Sequence, residues 1–125
     1  SKVDLAPHAP LLHDAAFCLL LTGWDLFWGR QEYFEDFPVL TEEAAGYLTT
    51  FSLSGVGMDT ISADSVGTDM PIHRILMAKG LILVENLCNL DTLPEGLFLF
   101  IAAPLKLERA EGSPVRALAI VEHAK

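Results

Sequence analysis

The chain has 125 residues, 51% of them hydrophobic, with 17 acidic against 8 basic side chains and a formal net charge of −9. That apolar content excludes an intrinsically disordered chain and is enough for a real core, so residues 1–125 read as one domain. The acidic balance disfavours both a phosphate-binding nucleic-acid surface and an anionic membrane; a solvated acidic exterior is the plain reading of the charge.

Residues 1–14 hold Pro7 and Pro10 and read as an irregular lead-in with one helical turn. Residues 16–22 are an almost continuous apolar run closed by Gly23. A continuous rather than alternating run predicts a strand buried on both faces. A loop or short helix carrying Trp24 and Trp28 follows, and residues 31–38 read as loop. Thr41 is a good N-cap, and Glu42 and Glu43 favour the positive end of a helix dipole, so a helix is expected from there to about Thr50. Residues 55–60 read as a short buried strand and residues 62–70 as a loop rich in Ser, Asp and Gly. Residues 71–87 read as a short helix, a stop at Gly80 and an apolar strand. After a turn at residues 93–96, residues 97–107 form a strand run in which Pro104 marks an edge or a bulge. A polar hairpin-like loop over 109–114 and a last strand over 115–122 complete the chain. Strands alternating with helices predict an α/β structure with a mixed sheet.

No apolar run approaches the ~20 residues of a membrane span, and no secretory signal is visible at the start. The chain opens at Ser1 rather than at methionine, which reads as processing or as a piece of something longer. Cys18 and Cys88 stand in largely apolar surroundings and read as two buried free thiols, which fits a reducing cytosol. No CxxC pair suggests a thiolate zinc site.

The informative pair is His73, which opens the predicted helix, and Glu85, which closes the strand behind it. The helical steps advance about 9 Å and the strand steps return about 13 Å. A reversal at Gly80 therefore brings both side chains to one edge. Imidazole and carboxylate suit zinc, manganese or iron. The residues alone leave a structural account equally open: a helix-start histidine bonded to backbone, and Glu85 paired with Arg74 or Lys79. Asp59, at another strand end, reads as the cap of the following turn or as a catalytic or ligand-orienting carboxylate. His8 and His13 do not share a helical face and read as surface histidines. Trp24, Phe27 and Trp28 read as packing residues or as the wall of a substrate pocket. Gly112-Ser113-Pro114 is a turn rather than a nucleophile elbow, and no P-loop, dinucleotide fingerprint or His-Glu-x-x-His is present.

Several short segments occur here in one order: Thr22-Gly23-Trp24-Asp25, Gly57-Met58-Asp59-Thr60, His73-Arg74-Ile75-Leu76, Glu85-Asn86-Leu87 with Asn89-Leu90, and Gly112-Ser113-Pro114-Val115-Arg116-Ala117. The series resembles the C-terminal part of the Putative cyclase family of metal-dependent hydrolases, the group of bacterial kynurenine formamidase and isatin hydrolase, from about Leu5 to Val121. The resemblance implies a swivelling β/β/α-type fold, here lacking its N-terminal part. It implies hydrolysis of a small-molecule amide, cyclic or N-formyl, by a metal-activated water, with zinc or manganese as cofactor. His73 and Glu85 match two of the family's metal ligands, and Arg74, Asp59 and Asn86 are candidates to orient them. The family's other ligands lie in an N-terminal His-x-Gly-Thr-His-x-Asp motif, and its acid/base histidine lies in the same region. Neither has a counterpart in this chain. The catalytic residues are therefore expected in that absent segment, and the chain alone is expected to be incomplete. Leu21 stands where relatives often carry a polar or basic residue. Uncovered apolar surface predicts a homodimer or higher homo-oligomer, cytoplasmic, with no nucleic-acid or membrane partner. The alternative is a non-catalytic binding or structural domain derived from the same fold.

Overall fold

Three of the apolar runs line up as one parallel sheet: β1 (Phe17–Leu20), β2 (Gly55–Met58) and β3 (Ile82–Val84), with β2 in the middle. Leu20 pairs with Met58, and Gly57 pairs with Val84, so the three strands end close to one level. The computed structural model describes residues 1–121 and divides into two units, Ser1–Thr92 and the residues from Leu93 on.

In the first unit every residue of β2 is buried, as a strand with neighbours on both sides demands. β1 is only half-buried along its length, against the expectation of burial on both faces. The reason is its place: among the described residues it pairs with β2 alone and forms an edge. The core gathers Leu12, Leu48, Val56, Ile72 and Leu76 between sheet and helices. Helix α3 (Glu42–Leu48) starts where expected, with the Thr41 hydroxyl accepting from the Ala44 amide at 3.1 Å. Residues 1–14 are more helical than expected, with α1 (Lys2–Leu5), a 3-10 turn (Ala6–His8) and α2 (Ala9–Asp14). Pro7 and Pro10 each fall in the first turn of a helical segment, where the missing N–H costs nothing, and buried Leu5 and Leu12 anchor the segment. Two further 3-10 turns, Trp24–Phe27 and Gln31–Phe34, occupy the aromatic stretch after β1.

The two glycines of β2 are both closely packed, against different kinds of neighbour. A Cβ on Gly55 would stand 2.6 Å from the Ile82 carbonyl oxygen and overlap the edge of the Phe17 ring. A Cβ on Gly57 would meet the leucine tips Leu19 Cδ2 and Leu87 Cδ1 at 2.6 and 2.7 Å. A leucine tip can turn aside, whereas a carbonyl in a ladder cannot. Gly55→Ala is therefore expected to cost roughly 2–3 kcal/mol in urea unfolding, and Gly57→Ala no more than about 1 kcal/mol. Equal losses, or the reverse order, would contradict this packing.

Helix α4 (Pro71–Met77) buries Ile72 and Leu76, one turn apart on one face. It stops as expected at Gly80, whose φ of 76° only glycine adopts freely. The Gly80 amide donates to the Met77 carbonyl at 2.9 Å and the Leu81 amide to the Leu76 carbonyl at 3.2 Å, a paired closure that turns the chain back into β3.

In the second unit, β4 (Leu99–Pro104) pairs antiparallel with β5 (Val115–Ile120), from Leu99 opposite Ile120 to Pro104 opposite Val115. The chain is thus α/β with parallel and antiparallel strands, as expected, the two kinds of pairing lying in separate sheets. Pro104 ends its strand, where a missing donor is harmless. The last strand was expected over 115–122; it ends at Ile120, and Glu122 lies outside the described residues. Leu99, Ile101, Leu118 and Ile120 alternate onto one face of the hairpin and are exposed.

Both cysteines are free. Cys18 is partly buried, and burial pushes its thiol up to about 11. Cys88 is exposed, against expectation, because the chain turns its neighbour Leu87 inward instead. Among the described residues no helix is long and apolar enough to cross a membrane.

Candidate functional site

The site residues collect beyond the C-terminal ends of the parallel strands, the usual ligand-binding edge of such sheets. Asp59 is the first residue past β2, and Glu85 is the first past β3. His73 reaches the same edge from α4. The start of α4 lacks a local side-chain cap: the Met70 side chain, at φ 55°, accepts no amide, and Pro71 has no N–H. Asp64 replaces that cap from the preceding loop. Its Oδ1 accepts from the Ile72 amide and its Oδ2 from the His73 amide, each at 2.9 Å. Oδ2 also lies 2.7 Å from His73 Nδ1.

The other ring nitrogen, His73 Nε2, lies 3.4 Å from Glu85 Oε1. The reversal at Gly80 therefore brings the two predicted ligands together. Their contact is not a hydrogen bond, for Glu85 Oε1 is buried with no hydrogen-bond partner. Burial raises the Glu85 carboxyl above its ordinary range; the facing His73 ring and the Ala63 amide offset that only in part. Asp64 goes the other way. Burial pushes it up, but the His73 and Ile72 amides and the His73 ring bring it below its ordinary value.

A buried carboxylate oxygen without a donor calls for a cation. Two ligands about 2.1 Å from one ion at a tetrahedral angle stand about 3.4 Å apart, so the separation of Nε2 and Oε1 fits a shared divalent metal. Asp64 sits behind the imidazole, as a partner of a ligating histidine does. Among the described residues no group of three His, Cys, Asp or Glu side chains is arranged to hold an ion.

The other predicted residues stand as follows. The Asp59 carboxylate, fully buried, neither caps the following turn nor touches the His73–Glu85 pair. It accepts from the Thr22 amide at 2.9 Å, the Thr22 hydroxyl at 2.7 Å, the Gly23 amide at 2.6 Å and the Trp24 amide at 3.1 Å. It therefore ties the chain leaving β1 to the end of β2. Asn86, at φ 58°, donates its amide to the Thr60 carbonyl at 2.9 Å, and its side-chain oxygen accepts from the Tyr33 hydroxyl at 2.9 Å. It fixes the backbone beside Glu85 rather than the carboxylate itself. Arg74 and Lys79 are exposed, and neither forms an ion pair among the described residues, so neither is the partner of Glu85 there. His8 and His13 lie on the surface as expected. Trp24 stacks near Phe27 at 4.7 Å and Trp28 meets Tyr33 edge-on at 5.1 Å, an arrangement of mutual packing. A cavity of about 420 Å³ is lined by Phe34, Glu35, Asp36, Phe37, Ser65 and Val66, and none of the predicted site residues lines it.

Sequence reasoning missed Asp64 and Tyr33. Asp64 lies eight residues before the amide it caps, outside the two- or three-residue spacing of a local N-cap. Tyr33 is fully buried in a stretch that reads as loop, and burial followed by the Asp59 charge raises its phenol, keeping it a donor.

The family model described as Putative cyclase matches residues 4–65. A kynurenine formamidase of Polaromonas naphthalenivorans is 41% identical over 83 residues, which cover 66% of this chain and 37% of that protein. An isatin hydrolase of Roseibium aggregatum is 34% identical over 118 residues, covering 85% of this chain and 45% of that protein. The chain thus spans about half or less of the length of these relatives. Among solved structures, an isatin hydrolase bound to the product analogue thioisatinate superposes with a TM-score of 0.75 at 30% identity, over 96% of this chain and 52% of the other. A predicted metal-dependent hydrolase from Bacillus stearothermophilus gives 0.67 at 30% identity, over 95% and 55%.

Proposed function

The chain belongs to the Putative cyclase family of hydrolases, and from that premise we propose that it contributes His73 and Glu85 to a divalent-metal centre that hydrolyses an amide bond. The observation that supports this best is the buried, unpartnered Glu85 Oε1 held 3.4 Å from His73 Nε2. Zinc or manganese suits a mixed nitrogen and oxygen donor pair. When bound, such an ion supplies a Lewis acid for the amide carbonyl and acidifies water. The chain's own residues bind and orient. His73 offers Nε2, Glu85 offers Oε1, and Asn86 with Tyr33 holds the peptide that carries Glu85. A catalytic site needs about three protein ligands and an open position. The remaining ligands and the acid/base group come from outside the described residues. The substrate is a cyclic or N-formyl amide, in keeping with the names of the relatives. The protein works in the cytoplasm, as its free thiols suit, and as a homodimer, supported by the exposed apolar face of the hairpin.

The test is a titration with zinc and manganese, paired with assays on isatin and N-formylkynurenine. The chain alone should bind metal weakly and turn over neither substrate usefully. Joined to a segment carrying His-x-Gly-Thr-His-x-Asp, it should bind tightly and hydrolyse one of them, and light scattering should report a dimer. A joined protein that binds no metal would leave the chain a non-catalytic domain of the same fold.

A further inference from the structure

We propose that Asp64 is a positioning residue of this centre: its carboxylate holds the proton of the neutral His73 ring on Nδ1, which leaves the Nε2 lone pair directed at Glu85. The inference rests on the proposed function for the role of the ion, but not for the place of the proton.

A neutral imidazole carries one N–H, and here each ring nitrogen faces a carboxylate. Nδ1 stands 2.7 Å from Asp64 Oδ2, and Nε2 stands 3.4 Å from Glu85 Oε1. The shorter distance is that of a strong charge-assisted bond, and the longer one lies outside the ordinary range. With the proton on Nε2, the lone pair of Nδ1 would be pressed against a carboxylate oxygen at 2.7 Å. The Nδ1–H tautomer is therefore the one this geometry stabilises.

Asp64 cannot swing away to relieve such a conflict. It is only 4% exposed, and its two oxygens already hold the Ile72 and His73 amides. Oδ2 receives both the backbone amide and the ring nitrogen of His73, so one atom sets the position of the residue and the rotation of its ring. The loop that carries Asp64 is itself tied down. The Asp64 amide donates to the Ser62 hydroxyl at 3.1 Å, and the Ser62 carbonyl accepts from the Thr60 hydroxyl at 3.0 Å, two residues beyond β2. The end of the central strand thus determines which face of the imidazole ring is free. A local cap at position 70 would have secured the helix but not the ring. A carboxylate reaching back from residue 64 secures both.

The experiment uses the 125-residue chain, labelled with 15N and free of metal, at a pH where the His73 ring is neutral. Long-range 1H–15N correlation reads which nitrogen carries the proton, and cobalt titration reads relative metal affinity. The wild-type chain is expected to show Nδ1–H. In Asp64→Ala the proton should move to Nε2, towards Glu85, and cobalt affinity should fall roughly 10–100-fold. Asp64→Asn should keep Nδ1–H, because a single amide oxygen in the place of Oδ2 still accepts from the His73 amide and ring, and it should lose less affinity. A structural cap alone would leave the tautomer unmoved. Nε2–H in the wild type, or Nδ1–H retained in Asp64→Ala, overturns the proposal. Should Asp64→Ala fail to fold, the wild-type spectrum decides by itself. If the wild-type chain shows Nδ1–H but takes up no cobalt even when joined to a segment carrying His-x-Gly-Thr-His-x-Asp, the positioning of the ring stands and the metal reading falls.

Discussion

Asp59→Ala is expected to be the most destabilising single substitution in the chain, costing roughly 3–5 kcal/mol in urea unfolding. The carboxylate is fully buried and takes its donors from Thr22, Gly23 and Trp24. Truncation strands three amides and a hydroxyl at once. Each buried donor left unmade costs about 1–3 kcal/mol, and the exposure of Thr22 returns some of this to water. A small domain has only about 5–15 kcal/mol to lose. Asp59→Asn, which keeps one acceptor oxygen, should cost clearly less. A loss below about 1 kcal/mol for the alanine variant would mean that the 22–24 turn closes without this anchor.

The role of Asp59 also marks where a linear reading of the chain runs out. Elements set by local chemistry were legible: the Thr41 cap, the stop at Gly80, the buried run of β2 and the two strands of the hairpin. The meeting of His73 with Glu85 was legible too, because it needs only one helix, one reversal and one strand. Bonds that cross the fold were not. Asp59 joins a turn 35 to 37 residues upstream, and Tyr33 reaches Asn86 across 53 residues. No spacing rule marks such pairs, and the preferred local reading of Asp59 as a turn cap lost to a cluster of amides brought together by the register of β1 and β2. The same holds for Asp64, an unremarkable member of a loop rich in Ser and Asp until the helix start without a cap of its own is placed beside it. The helical lead-in was missed for the converse reason, since Pro7 and Pro10 break a helix only when they lie in its interior.

Glu85→Gln and His73→Ala are expected to affect metal binding alike and stability oppositely, which separates a metal pair from a structural ion pair. Both remove a ligand, so each should weaken zinc or cobalt binding by more than the roughly 10–100-fold that follows loss of an outer partner, and abolish turnover in an active protein. In the metal-free chain the two part. His73→Ala takes the ring donor from buried Asp64 and should destabilise. Glu85 is instead a burden there, because its carboxyl is raised by burial and one oxygen has no donor. A raised folded-state value means that the folded chain holds this proton more firmly than the unfolded chain does. The contribution of Glu85 to stability is then fully present at pH values below its ordinary 4.5 and is lost as the pH rises through the folded value. Near neutral pH, Glu85→Gln should therefore leave the metal-free chain as stable as the wild type or more so, and should flatten the acid limb of its stability profile. Residues that cost stability and bind a ligand are where function outweighs folding. A metal-free Glu85→Gln chain that unfolds more easily at neutral pH, with cobalt affinity unchanged, would place the carboxylate in the scaffold and end the metal assignment.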